Sequence, residues 1–94
     1  MYPVQSGDKL YRVTRYDLQR GGFIVMIELR FYLSGPQQGL YVAAPLYKIE
    51  DYPVSESLWG KAATEGAALH ECLQKIKHLS AQEIYSFPEK YPFA

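Results

Sequence analysis

The sequence predicts an α+β domain: a three- or four-stranded antiparallel β-meander with one amphipathic C-terminal helix packed on one face. Three observations carry that expectation. Residues 21–35, GGFIVMIELRFYLSG, alternate with a period of two, and Phe23, Val25, Ile27, Leu29, Phe31 and Leu33 are all apolar on one parity. Glycine-rich breaks at 21–22 and 35–39 bracket the stretch, as hairpin connections do. From Thr64 onward the apolar residues Leu69, Cys72, Leu73, Ile76 and Leu79 recur at helical spacing instead.

In chain order, residues 1–8 form a polar arm with Pro3 and a Ser6-Gly7-Asp8 turn signal. Residues 9–18, KLYRVTRYDL, are rich in Tyr, Val, Thr and Arg and predict a strand. Its alternation is imperfect: Leu10, Tyr16 and Leu18 share one parity, Tyr11 and Val13 the other. A β-bulge near Thr14 or Arg15 would bring them onto one face. After the hairpin at 19–22 comes the strand described above, then a second hairpin loop.

Residues 40–49, LYVAAPLYKI, predict a third strand. Pro45 lacks the donor a central strand needs, so this strand is expected at an edge or bulged. Residues 50–57 make a polar connection, and LWGKA is either a short fourth strand or the start of a helix. The clear helix spans about 64–78, with Thr64 as N-cap, Glu65 in the first turn, and Lys77 and His78 suiting the C-terminal dipole. A helix beginning at Glu56 competes, but Gly60 and Gly66 each cost it about 1 kcal/mol relative to Ala. Ser80-Ala81-Gln82-Glu83 has the capping-box pattern, so a short turn would return Ile84 and Phe87 to the core. Residues 88–94 complete the chain as a second arm.

Ninety-four residues suit one domain, 1–94, with one modest core. Hydrophobic residues at 48% and charged ones at 21% describe a chain that folds. Ten basic side chains balance ten acidic ones, which opposes retention on duplex DNA by bulk electrostatics. All four arginines nevertheless fall within residues 12–30. Cys72 is the single cysteine, so an intrachain disulfide is impossible and a reducing, cytoplasmic setting is expected. The N-terminal residues lack a signal-peptide pattern, and no apolar run approaches the roughly 20 residues that span a bilayer, so no membrane is expected.

No catalytic, cofactor-binding or metal-binding residue is expected. His70, Glu71, Cys72 and His78 have the right chemistry, but on a helix residues two apart point to different sides, and His70 and His78 lie about two turns apart. No phosphate-cradling loop, dinucleotide fingerprint, nucleophile elbow or zinc spacing occurs. The acids Glu50 and Asp51 suit solvent, and Ser55 and Ser57 lack an identifiable base.

What remains is the second face of the central strand: Ile24, Met26, Glu28, Arg30 and Tyr32. The last three suit water and the first two do not, which points to a partner. The leading expectation is a non-enzymatic interaction module, homodimeric or bound to another protein, that associates through this sheet face or through a Pro45 edge. Its candidate contact residues are Ile24, Met26, Arg30, Tyr32, Tyr11, Arg15 and Trp59, with Trp59 as an anchor or else a lid over one end of the core. The alternative is single-stranded nucleic acid. Tyr11, Tyr16 and Tyr32 would then stack bases at ~1–3 kcal/mol each while Arg12, Arg15 and Arg30 track phosphates. Arg30 would otherwise pair with Asp17 or another acid across strands. The order of elements is similar to that of small antitoxin and single-strand-binding folds, including the hairpin-plus-helix transcriptional coactivators, and implies no particular site residue.

Overall fold

Two adjacent glycines let the chain reverse within two residues, Gly21 taking φ +63°, so the flanking segments pair from the turn outward. A computed structural model describes residues 2–46 and 54–85. In it β1 (Tyr11–Arg20) and β2 (Phe23–Tyr32) form a long antiparallel ribbon. Strand β3 (Tyr41–Pro45) follows, then a 3-10 turn at Glu56–Leu58, the short β4 (Gly60–Ala62), the helix α1 (Glu65–Ile76) and the short helix α2 (Ala81–Tyr85). The sheet is antiparallel in the order β1-β2-β3-β4, with α1 packed against one side.

The β1–β2 register is continuous from Arg20↔Phe23 to Tyr11↔Tyr32, passing through Thr14↔Leu29 and Arg15↔Glu28 without an extra residue. The expected bulge is therefore absent. Tyr11 has no need to reach the helix side, because its ring packs on Tyr32, 5.1 Å away, on the other face. Tyr16 and Leu18 lie on the helix side, where both pack against the core.

Strand β3 is internal, paired to β2 and, through Tyr41↔Ala62, Val42↔Lys61 and Ala43↔Gly60, to β4. The expected edge at Pro45 is overturned, and the backbone explains why the proline is tolerated. Pairing with β4 has ended at Ala43, and the Pro45 carbonyl accepts from the Val54 N–H at 2.8 Å. Within a strand a residue's N and C=O point the same way, so the missing donor faces away from β2. The β2 ladder resumes at once, with the Leu46 N–H donating to the Met26 carbonyl at 2.8 Å.

Residues 56–62 form a turn and a strand, not an early start to the helix. Helix α1 begins where its N-cap chemistry places it: the Thr64 Oγ1 accepts from the Ala67 N–H at 3.2 Å. It ends at Ile76, before Lys77 and His78. Ala68, Cys72 and Ile76 are its buried residues, while Leu69, Leu73 and Leu79 are partly buried at the margin. The capping box is reciprocal, Ser80 N–H to the Glu83 carboxylate and Glu83 N–H to the Ser80 hydroxyl, and it carries Ile84 into the core. Phe87 and the arm at 88–94 lie outside the described residues.

The core joins Val25, Ile27 and Leu29 of β2 to Ala43, Val54, Leu58 and the buried residues of α1 and α2. Each buried Val, Leu or Ile among them contributes about 1.5–3 kcal/mol by leaving water. Two long side chains tie β1 to the helix above it. The Tyr16 hydroxyl donates to the Glu65 carboxylate, and the Arg20 Nη1 donates to the carbonyls of Ile76 (2.7 Å) and Leu79 (2.6 Å). No helix among the described residues is long and apolar enough to cross a membrane.

Candidate interaction surface

Cross-strand pairing puts Tyr11 beside Tyr32, Val13 beside Arg30, Arg15 beside Glu28, Asp17 beside Met26 and Gln19 beside Ile24 on the face away from α1. The end of this face around Glu28 and Tyr32 is closed, not wet. Glu28 and Tyr32 are each only 8% exposed, which corrects the expectation that they face water. The cause is a network. The Arg30 Nε donates to the Glu28 carboxylate, its Nη1 donates to the Tyr32 hydroxyl at 3.2 Å, and its guanidinium lies 4.5 Å from the centre of the Tyr11 ring. Burial opposes the Arg30 charge, but its hydrogen bonds to Tyr32 and Glu28 outweigh it and hold the pKa above its ordinary value. The acid that pairs with Arg30 is thus Glu28 on its own strand, and Asp17 lies opposite Met26.

Trp59 returns over this network from the segment between the 3-10 turn and β4. Its indole N–H donates to the Val54 carbonyl at 2.9 Å, and the Lys61 ammonium lies 5.6 Å from its ring centre. With Val42 and Ala44 it borders a narrow depression over Glu28, Arg30 and Tyr32. It thus borders the far-face network and not an end of the core.

The seven candidate contact residues are therefore divided. Tyr11, Arg30, Tyr32 and Trp59 gather at one end of the far face. Arg15 and Met26 occupy the middle rungs, the Arg15 Nη1 lying 4.0 Å from the Met26 sulfur. Ile24, 45% exposed, sits at the hairpin tip beside Phe23, which is 62% exposed. The six residues suited to single-stranded nucleic acid are split too. Arg12 lies 5.1 Å over Phe31 and Tyr16 bonds to Glu65, both on the helix side.

Sequence reasoning placed a strand at 9–18 but missed that this strand, β1, forms an edge of the sheet. Among the described residues it is one of the two outer strands of the sheet, ten residues long, and Arg12, Val13, Thr14, Arg15, Asp17 and Gln19 along it are exposed. A meander that pairs in sequence order leaves its first strand at an edge, so the signal was present in the order of elements. The hydrogen-bond phase follows from both ends of the ribbon. The Leu33 N–H donates to the Leu10 carbonyl at 2.7 Å, and the two-residue turn makes Arg20 and Phe23 a hydrogen-bonded pair. Even-numbered residues of β1 thus bond to β2, and odd-numbered ones direct N–H and C=O outward.

Among the described residues no group of three or more His, Cys, Asp or Glu side chains is placed to hold a metal. Cys72 is fully buried, and that burial pushes its thiol up to about 12. Comparison with protein families, with curated proteins and with solved structures finds no match to this chain.

Proposed function

We propose that this chain is a small, non-enzymatic interaction module of the cytoplasm that self-associates by strand addition at β1. The observation that carries this reading is the outward-directed backbone of a ten-residue edge strand. Such edges are templates for a further strand, and proteins commonly guard them with prolines or bulges; β1 has neither. The sheet face is a weaker docking site, because Glu28, Arg30, Tyr32 and Trp59 close one end of it. A reducing compartment suits the single buried cysteine.

Val13→Pro tests the reading. The Val13 N–H points away from β2, so proline removes an outward donor and leaves the intrachain ladder whole. Light scattering should report a wild-type dimer and a V13P monomer with an unchanged circular dichroism spectrum. A monomeric wild type, or a V13P dimer of undiminished affinity, overturns the reading.

Single-stranded nucleic acid has less support as a ligand, since Nε and Nη1 of Arg30 are engaged by Glu28 and Tyr32 and Tyr32 is buried. A mobility shift with single strands that weakens as salt rises would restore it.

A further inference from the structure

Resting on the strand-addition reading, we infer that two copies pair β1 to β1 antiparallel about a two-fold axis at Tyr16, so that Arg15 of each copy faces Asp17 of the other. Antiparallel pairing of identical strands fixes one residue as its own partner. Registers that match an outward-directed residue with an inward-directed one are excluded by the hydrogen-bond phase. An axis at Arg15 sets Arg15 against itself, and an axis at Asp17 sets Asp17 against itself. An axis at Thr14 places Arg15 against Val13, and an axis at Leu18 places Asp17 against Gln19. Only the Tyr16 axis matches Arg15 with Asp17, twice by symmetry, and it pairs Val13 with Gln19 on the next rung.

The charges on this edge therefore reject the registers centred on Arg15 and Asp17 by repulsion and, of the others, give attraction to one. The one like-charge meeting in this register, Arg12 with Arg20 of the second copy, is relieved by where those groups already point. Arg12 lies over Phe31, and Arg20 is held on the Ile76 and Leu79 carbonyls. The two-fold axis stands perpendicular to the sheet, so the copies form one eight-stranded sheet with both α1 helices on the same side. Tyr16, its hydroxyl fixed by Glu65, meets its counterpart between the helices, with Leu18 opposite Thr14 on either side.

A cysteine scan of the full chain reads the register directly, with the buried Cys72 left in place. Across a non-hydrogen-bonded antiparallel pair Cα atoms lie about 4.5 Å apart and across a hydrogen-bonded pair about 5.5 Å, both within disulfide reach. Under mild oxidation Tyr16→Cys should cross-link to itself. Arg15→Cys and Asp17→Cys should each stay largely uncrosslinked alone and cross-link when mixed. Because Tyr16→Cys loses the bond to Glu65, the mixed pair keeps the test independent of that residue. Asp17→Lys, which sets two lysines against two arginines, should weaken the dimer about tenfold. Self-cross-linking of Arg15→Cys or Asp17→Cys, or an undiminished Asp17→Lys dimer, overturns the register while leaving strand addition standing. A wild-type monomer, or a dimer that no β1 cysteine cross-links, overturns both.

Discussion

Gly60 of β4 lies so close to Ala68 of α1 that a β-carbon on Gly60 would overlap the Ala68 carbonyl oxygen and stand 2.6 Å from the Cys72 nitrogen. Both obstacles are backbone, so neither can swing aside. Gly60→Ala should cost about 3 kcal/mol in chemical denaturation by forcing strand and helix apart. Gly66→Ala provides the contrast: it is exposed within α1 with open space around its Cα, and should stabilise the protein by about 1 kcal/mol. Equal effects of the two substitutions would mean that the close approach is not real.

Arg20 supplies the C-terminal cap of α1 from a different element, satisfying the carbonyls of Ile76 and Leu79. Arg20→Met preserves the aliphatic stem and removes both bonds, and should lower stability by about 2 kcal/mol in thermal unfolding. Arg20→Lys should recover part of that loss, since an ammonium retains the charge but not the fork.

The Glu28–Arg30 pair is asymmetric in what its loss exposes. Arg30→Met leaves the buried Glu28 carboxylate without its cation, and should cost about 3 kcal/mol. Replacing both residues, Glu28→Leu with Arg30→Met, should cost less than Arg30→Met alone, because no charge is then stranded. A double-mutant cycle by urea denaturation measures the coupling, and purely additive effects would dissolve the network described above.

Two groups link stability to pH from opposite sides. Burial raises the Cys72 thiol from 9.0 to about 12, so the folded chain retains a proton that the unfolded chain releases. That stability is fully present below pH 9 and is lost as pH rises through the interval to about 12. Thiol alkylation at pH 8 should accordingly follow unfolding, and reaction at the rate of a free thiol in native buffer would contradict the burial. Glu71 behaves oppositely: the Lys61 N–H, and then the Lys75 ammonium, lower its pKa below 4.5. Its contribution is present above that value and fades as acid titrates the folded carboxylate, and Glu71→Gln should flatten the acid limb of the stability profile.

How much of this was legible in the sequence depends on how local the cause is. The parity of Val25, Ile27 and Leu29 marked the core face because alternation is written in adjacent residues. Thr64 marked the helix start because a cap acts within one turn. Phe23 shares the core parity yet is 62% exposed, since the hairpin tip lies at the rim of the packed layer. Glu28 and Tyr32 defied their polar look because Trp59, remote in sequence, folds back beside them. Gly60 was visible only as a poor helix residue; its contact with Ala68 has no local signature. Of the candidate site, Tyr11, Arg30 and Tyr32 do lie together, whereas Arg12 and Tyr16 turn to the helix side and the engagement with Glu28 had no signature in the sequence.

The two tethers between β1 and α1 have a mechanical consequence. Tyr16 holds Glu65, the first residue of the helix, and Arg20 holds the carbonyl of Ile76, its last. The outermost strand of a sheet is ordinarily the first to peel. Here it is latched at both ends of a helix that rests mainly on other strands, so fraying of β1 would loosen both helix termini together. The edge best exposed for contact is thereby among the parts least able to detach by itself.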